Sequence, residues 1–232
     1  VPVSELLRER LAITIPLALM AMALSVVIAF SLGIYAATHH NRHGDVLVMG
    51  VSQLGISIPN FWLALMLILL FAVNLGWFAS GGFPGWYAGW WPALKALILP
   101  AIALATVQGA ILARFTRSAT LETMREDYVR TARAKGLNRR QTLWRHVLRN
   151  AMISVVTVMG LQFANLLAGT IVVESVFALP GIGRLILQSI ANRDVVVVRD
   201  IVTLLVAMVV IINLVVDLLY ALIDPRLRSS DV

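Results

Sequence analysis

Residues 113–151 read ARFTRSATLETMREDYVRTARAKGLNRRQTLWRHVLRNA, the one long polar stretch in a chain of 232 residues that is 59% hydrophobic. It holds ten of the 19 Lys and Arg residues: Arg114, Arg117, Arg125, Arg130, Arg133, Lys135, Arg139, Arg140, Arg145 and Arg149. Long apolar runs flank it on both sides, so it reads as a basic, helix-prone segment set between membrane spans. Leu121, Met124, Tyr128 and Ala132 fall on one helical face. Thr120 is the predicted cap of that helix, with Glu122 in a first turn where the dipole favours negative charge. Gly136, directly after Lys135, stands where a left-handed residue ends a helix. Asn138 with Gln141 three residues on predicts a capping box that opens a second helix. That helix runs toward Ala151 and on into a span. The small residues Ala132, Ala134 and Gly136 would let a partner's surface approach the turn.

Outside this stretch the chain is apolar. Its mean hydropathy is +0.86 and charged residues are 13%, too few to cover a surface with polar groups, so the expectation is an all-α polytopic membrane protein. Five spans are predicted, at about 11–38, 46–75, 93–113, 152–173 and 201–223. They form a single transmembrane domain over 1–232, with 114–150 as a loop inserted within it. Pro59 should kink or break the second span, and Ser57 and Asn60 beside it put polar groups at mid-membrane. Residues 76–92 carry Trp77, Trp86, Tyr87, Trp90 and Trp91, residue types that prefer the headgroup zone. Ala101, Ala105 and Gly109 form a small-residue stripe suited to close helix packing, and Gly160, Ala164 and Ala168 form a second. Gln162 and Asn165 make a polar stripe next to the second one; they are candidates for lining a translocation path, as are Ser57 and Asn60, and interhelical hydrogen bonding is the equal alternative. Ile182, Leu185, Ile186, Ser189 and Ile190 suggest a short amphipathic helix with Arg184, Gln188 and Asn192 on its wetter side.

Basic residues orient the spans. With 114–150 in the cytoplasm, thirteen of the 19 lie on that side and six on the other, which puts residue 1 outside and the C-terminus inside. The chain begins Val1-Pro2 and is read as a processed chain or a fragment lacking an upstream span.

Other chemistry is scarce. With no cysteine, disulfides and thiolate metal sites are excluded. His39, His40 and His43 read as a wet loop rather than a metal site, with only Asp45 nearby. Glu174 and Asp217 lie near predicted span ends, where interfacial or paired roles are expected before proton carriage. Gly181-Ile182-Gly183 lacks the lysine and hydroxyl of a phosphate loop, so no nucleotide site or enzymatic constellation is expected on this chain. A DNA-binding helix-turn-helix is disfavoured, because the hairpin is tethered to spans at both ends and has no third helix to build a core.

The segment resembles the cytoplasmic EAA loop of permeases of binding-protein-dependent ABC importers. Arg130-Thr131-Ala132 occupies the Glu-Ala-Ala position, Gly136 the glycine and Leu148 the leucine, while His146 and Arg149 stand where the family has isoleucine and proline. Residues 127–136 (DYVRTARAKG), Leu148-Arg149-Asn150-Ala151, residues 172–183 (VVESVFALPGIG) and Asp224-Pro225-Arg226 are more specific; they resemble the B-type subunits of the dipeptide/oligopeptide branch, across essentially the whole chain. The resemblance implies a type I importer-like permease with six spans in the full family member, of which five are seen here. It implies half of a path for di- or oligopeptides, completed by a second permease. Two ATP-binding subunits would carry the nucleotide and its magnesium, with no cofactor on this chain, and an external substrate-binding protein would deliver cargo. The ATPase contact would fall on Tyr128, Arg130, Thr131, Ala132, Arg133, Ala134, Lys135, Gly136 and Leu137. The setting implied is a bacterial inner membrane, with no role for nucleic acid. A stand-alone secondary transporter or channel is the alternative; it accounts for the spans but not for the capped basic hairpin.

Overall fold

The computed structural model describes residues 3–223, and side chains as far as Leu218 apart from Asp217. Asp224-Pro225-Arg226 and the side chain of Asp217 therefore lie outside the described residues. Among the described residues every regular element is helical. Helix α1 spans Val3–Thr38, α2 His43–Ser57 and α3 Asn60–Leu67, prolonged by a π-helical stretch over Ile68–Asn74. A single 3-10 turn at Trp86–Ala88 precedes α4 (Trp90–Met124). Then come α5 (Asp127–Ala134), α6 (Arg139–Thr142), a π-helical turn over Leu143–Val147 and α7 (Leu148–Val176). Helices α8 (Ile182–Ala191) and α9 (Val195–Ile223) complete the order.

Four helices are long and apolar enough to cross a membrane: α1, α4, the continuous run Arg139–Val176, and Val195–Val216 of α9. The α2–α3 pair is the fifth candidate, and it is bent by 99°. Its break falls where proline chemistry puts it. Ile58 is extended (φ −82°, ψ 122°), as the residue before a proline prefers, and Pro59 serves as the N-cap of α3. Neither end at the break carries a side-chain cap.

Packing between α1 and α4 dominates the bundle. Lipid tails are as apolar as leucine, so helices associate through close contact rather than through expulsion of water. The first small-residue stripe makes that contact possible: Ala101 and Ala105 are buried, and a methyl placed on Gly109 would come within 3.0 Å of Ile28 on α1. From the other side, Gly33 of α1 sits where a methyl would approach the Ala113 carbonyl and Thr116 at 2.7 Å. The second stripe divides. Gly160 backs onto Val216 of α9, Ala164 is half-buried and Ala168 is exposed.

Two ends of the bundle differ in character. At one end lie the α5–α6 hairpin, the 39–42 turn and the last turns of α4. At the other, the start of α1, the 75–89 segment, α8 and the start of α9 converge. The Trp86 Nε1 donates to the Ala12 carbonyl (2.9 Å) and the Gly82 N–H to the Phe177 carbonyl (2.8 Å), which ties the aromatic segment down. Trp77, Tyr87, Trp90 and Trp91 remain exposed there, placed to meet a membrane–water boundary.

Candidate functional site: the basic hairpin and the open face

The polar stretch is built differently from its sequence expectation at one point. Thr120 does not cap a helix: it is buried inside α4, and its hydroxyl donates to the Thr116 carbonyl at 2.6 Å. Helix α4 runs on past its predicted end at 113 to Met124, so Leu121 and Met124 belong to α4 while Tyr128 and Ala132 belong to α5. The backbone turns at Arg125-Glu126, where Glu126 is extended (φ −63°, ψ 144°). A threonine satisfied by back-bonding to the carbonyl four residues earlier is compatible with helix continuation, and this is why the cap reading failed. The inward side chains of α5 are Val129, fully buried and absent from the predicted face, and Ala132.

The end of α5 is a Schellman turn. Gly136 has φ +91°, its N–H donates to the Arg133 carbonyl (3.0 Å), and the Leu137 N–H donates to the Ala132 carbonyl (3.3 Å). Asn138 then opens α6 with a full capping box, accepting from the Gln141 N–H at 2.8 Å while its own N–H donates to Gln141 Oε1 at 3.2 Å. From α6 the helix continues through the π turn into α7 without a stop. Arg130, Thr131, Arg133, Ala134, Lys135 and Gly136 are exposed, Leu137 is half-buried, and Tyr128 accepts a hydrogen bond from Asn150 Nδ2 at 2.9 Å. The hairpin thus presents a basic rim, hinged on one helix and continuous with another.

Behind the hairpin lies a cluster that sequence reasoning missed. Asp45, the residue before the apolar run of α2, is 3% exposed. It accepts from Arg117 Nε (2.6 Å) and from the second guanidinium nitrogen of Arg117 (2.7 Å), and from the Asn41 N–H (3.0 Å). His40 Nδ1 stands 3.2 Å from the same carboxylate. A bidentate charge-assisted pair is the strongest geometry available to these groups; it fastens the start of α2 to the end of α4. In the sequence Arg117 is one of ten basic residues between 113 and 151. A partner 72 positions away leaves no local signal.

The four path candidates fall into three places. Asn60, half-buried, brings its Nδ2 against Gly169 of α7. Gln162 accepts from Asn165 Nδ2 at 3.3 Å, and Asn165 shares the exposed face of α7 with Leu161 and Val172. Ser57 is exposed and bonds back to the Gln53 carbonyl (2.9 Å). Two buried acceptors, Asn60 Oδ1 and Gln108 Oε1, have no partner among the described residues.

At the opposite end, Glu174 is held by hydrogen bonds and not by a salt bridge among the described residues. It is fully buried. Thr14 Oγ1 donates to its Oε1 (2.6 Å), while the N–H groups of Gly183 (2.7 Å) and Arg184 (3.2 Å) donate to its Oε2. Helix α8 buries Ile182, Leu185, Ile186 and Ser189 as its periodicity predicts, but Ile190 points outward at 55% exposure.

An all-helical bundle with four spanning helices, a sharply bent fifth candidate and a basic hairpin continuous with a spanning helix defines a polytopic helical membrane protein. The chain belongs to the family described as binding-protein-dependent transport system inner membrane component, whose pattern matches residues 29–229. It is accordingly a multi-pass permease subunit of an ATP-driven importer, which sets aside a stand-alone carrier or channel. It is similar to the dipeptide transport system permease protein DppB of Alkalihalophilus pseudofirmus: 41% identical, covering 98% of this chain and 74% of the relative. It is also similar to the glutathione transport system permease protein GsiC of Salmonella typhimurium: 44% identical, covering 98% of this chain and 72% of the relative. In fold it is similar to a chain of the MetNI methionine ABC transporter in an inward-facing conformation, with a TM-score of 0.77, 20% identity and coverage of 95% and 97% of the two chains.

Proposed function

We propose that this permease carries short peptides, and that its 114–150 hairpin takes the motion of a cytoplasmic ATPase into the membrane. The observation that carries the coupling reading is continuity. The hairpin's second arm enters α7 through α6 and the π turn with no break, and its first arm, α5, hangs from the end of α4 at the Arg125-Glu126 turn, so a push on the hairpin is delivered to two spans. Tyr128, Arg130, Thr131, Arg133, Ala134, Lys135, Gly136 and Leu137 form the contact, with Ala132 turned inward beneath them and with ATP and its magnesium on the partner subunits and none here. The basic rim sits on the cytoplasmic side by the thirteen-to-six division of basic residues, with the C-terminus on the same side and residue 1 outside. The remaining partners are a second permease against the open face of α7, a second ATPase and an external binding protein. Peptide cargo is supported by the names of the relatives, which include a dipeptide and a glutathione system. Of the path candidates, Ser57 and Asn165 are exposed and Asn60 half-buried, with Gln162 bonded to Asn165 behind them, and these are the side chains offered to that cargo.

Uptake by the reconstituted importer tests the coupling. Charge reversal at Arg130 or Arg133, or Gly136→Pro, should abolish peptide-stimulated ATP hydrolysis and cut uptake by about tenfold or more, the factor that about 1.4 kcal/mol of lost coupling commands, while the spans still insert. Proline cannot reach the φ of +91° found at Gly136. Wild-type uptake in all three variants would overturn the docking assignment.

A further inference from the structure

We propose that α8 is a fixed wall of the outer end of this permease and not a moving gate, and that Glu174 is the positioning residue that fixes it. The first N–H groups of a helix have no partner within it. In α8 those of Ile182, Gly183 and Arg184 are all taken by side chains of two other helices: Thr14 Oγ1 of α1 accepts from Ile182 (2.9 Å) and Glu174 Oε2 of α7 accepts from the other two. Thr14 and Glu174 bond each other in turn, which closes a ring of hydrogen bonds over α1, α7 and α8.

The joint is also closed sterically. A methyl on Gly181 would collide with the Glu174 carboxylate, and one on Gly183 with the backbone of Ile171. The Arg184 guanidinium donates to the Ala178 carbonyl at 2.7 Å, a further tie across the turn. On its other face α8 packs Ile182, Leu185 and Ile186 into a cluster with Val197 and Ile201 of α9 and with Leu7 and Leu11 of α1. Moving α8 would strand two buried donors and a half-buried one, and open that cluster at once. The α2–α3 break has the reverse character: 99°, proline-defined and without a side-chain cap at either end. Motion of the path is therefore assigned to the break, with the α1–α7–α8 corner as the body against which it moves.

The inference stands apart from the role of the hairpin. The absence of cysteine permits spin labels at Arg8→Cys in α1 and Gln188→Cys in α8, both exposed positions. Their separation is measured in the reconstituted importer at rest and after trapping with ATP and vanadate. The expected result is a change smaller than one helical rise, about 1.5 Å; a larger shift overturns the proposal. Failure to trap nucleotide would count against the ATPase partnership, and the clamp would still be decided at rest by Glu174→Gln in the same labelled background. A carboxamide offers one acceptor oxygen where three donors converge, so the separation should broaden and uptake fall about five- to thirtyfold, the range for one or two kcal/mol. A distribution as narrow as wild type, with wild-type uptake, also overturns it.

Discussion

The hairpin turn at Gly136 and the corner turn at Ala178 are the same backbone device in opposite settings. Each ends a helix with a left-handed residue. The Leu137 N–H reaches the Ala132 carbonyl in one (3.3 Å), and the Leu179 N–H reaches the Glu174 carbonyl in the other (2.8 Å). The hairpin uses glycine, whose φ of +91° costs no Cβ strain, and nothing lies within 4 Å of where its side chain would be. The corner uses alanine at φ +52° and accepts strain of about 1–2 kcal/mol. Tertiary contacts offset it: a fully buried carboxylate, two glycines with no room for a methyl, and an aromatic segment stitched to Phe177. One turn is held by its own residues and can be presented to a partner. The other is held by four segments of the chain and has no freedom left.

The largest effect that would break this contrast is at Gly183. A methyl there meets the Ile171 backbone, which cannot rotate away as a side chain would. Gly183→Ala should therefore destabilise the detergent-solubilised permease by about 1–3 kcal/mol, as overpacking does, read as a fall in Tm. An unchanged Tm would mean that the corner yields, and the two turns would then differ only in composition.

These two regions also mark how far the sequence could be read. The all-α polytopic architecture follows from apolar runs longer than a bilayer, and the break at Pro59 follows from a missing N–H. Gly136 and the Asn138–Gln141 box are signals carried within three or four residues, so a linear reading reaches them. Thr120 misled because the same hydroxyl that caps a helix can satisfy itself on the preceding turn and let the helix continue. Glu174 and Thr14 are 160 positions apart, and Asp45 and Arg117 are 72 apart. Nothing local in either pair announces the other. Their side chains read as span-end or loop polar groups until the fold closes around them.

A smaller effect sharpens the comparison at the hairpin itself. Gly136→Ala meets no neighbour within 4 Å, so its only penalty is the left-handed backbone at φ +91°. The expected cost is about 1 kcal/mol, with uptake retained, in contrast to the proline variant. A larger loss of stability would reveal that the turn is packed against something, and the picture of a self-supporting hairpin would need to go.

The smallest effect comes from the reverse exchange at the corner. Ala178→Gly relieves strain of about 1–2 kcal/mol in the folded chain, and sets against it the greater freedom of glycine in the unfolded chain, about 0.5–1 kcal/mol. Ala178 is half-buried, so the loss of its single methyl removes little packing. The net expectation is a gain of about 0.5–1 kcal/mol, the difference of those two ranges, seen as a slight rise in Tm. If the turns are one device differing only in what surrounds them, Gly136→Ala and Ala178→Gly should shift Tm in opposite directions. A fall in both would mean that the alanine methyl is itself part of the corner's packing, and that the strain at φ +52° is held because that contact is worth more than its relief.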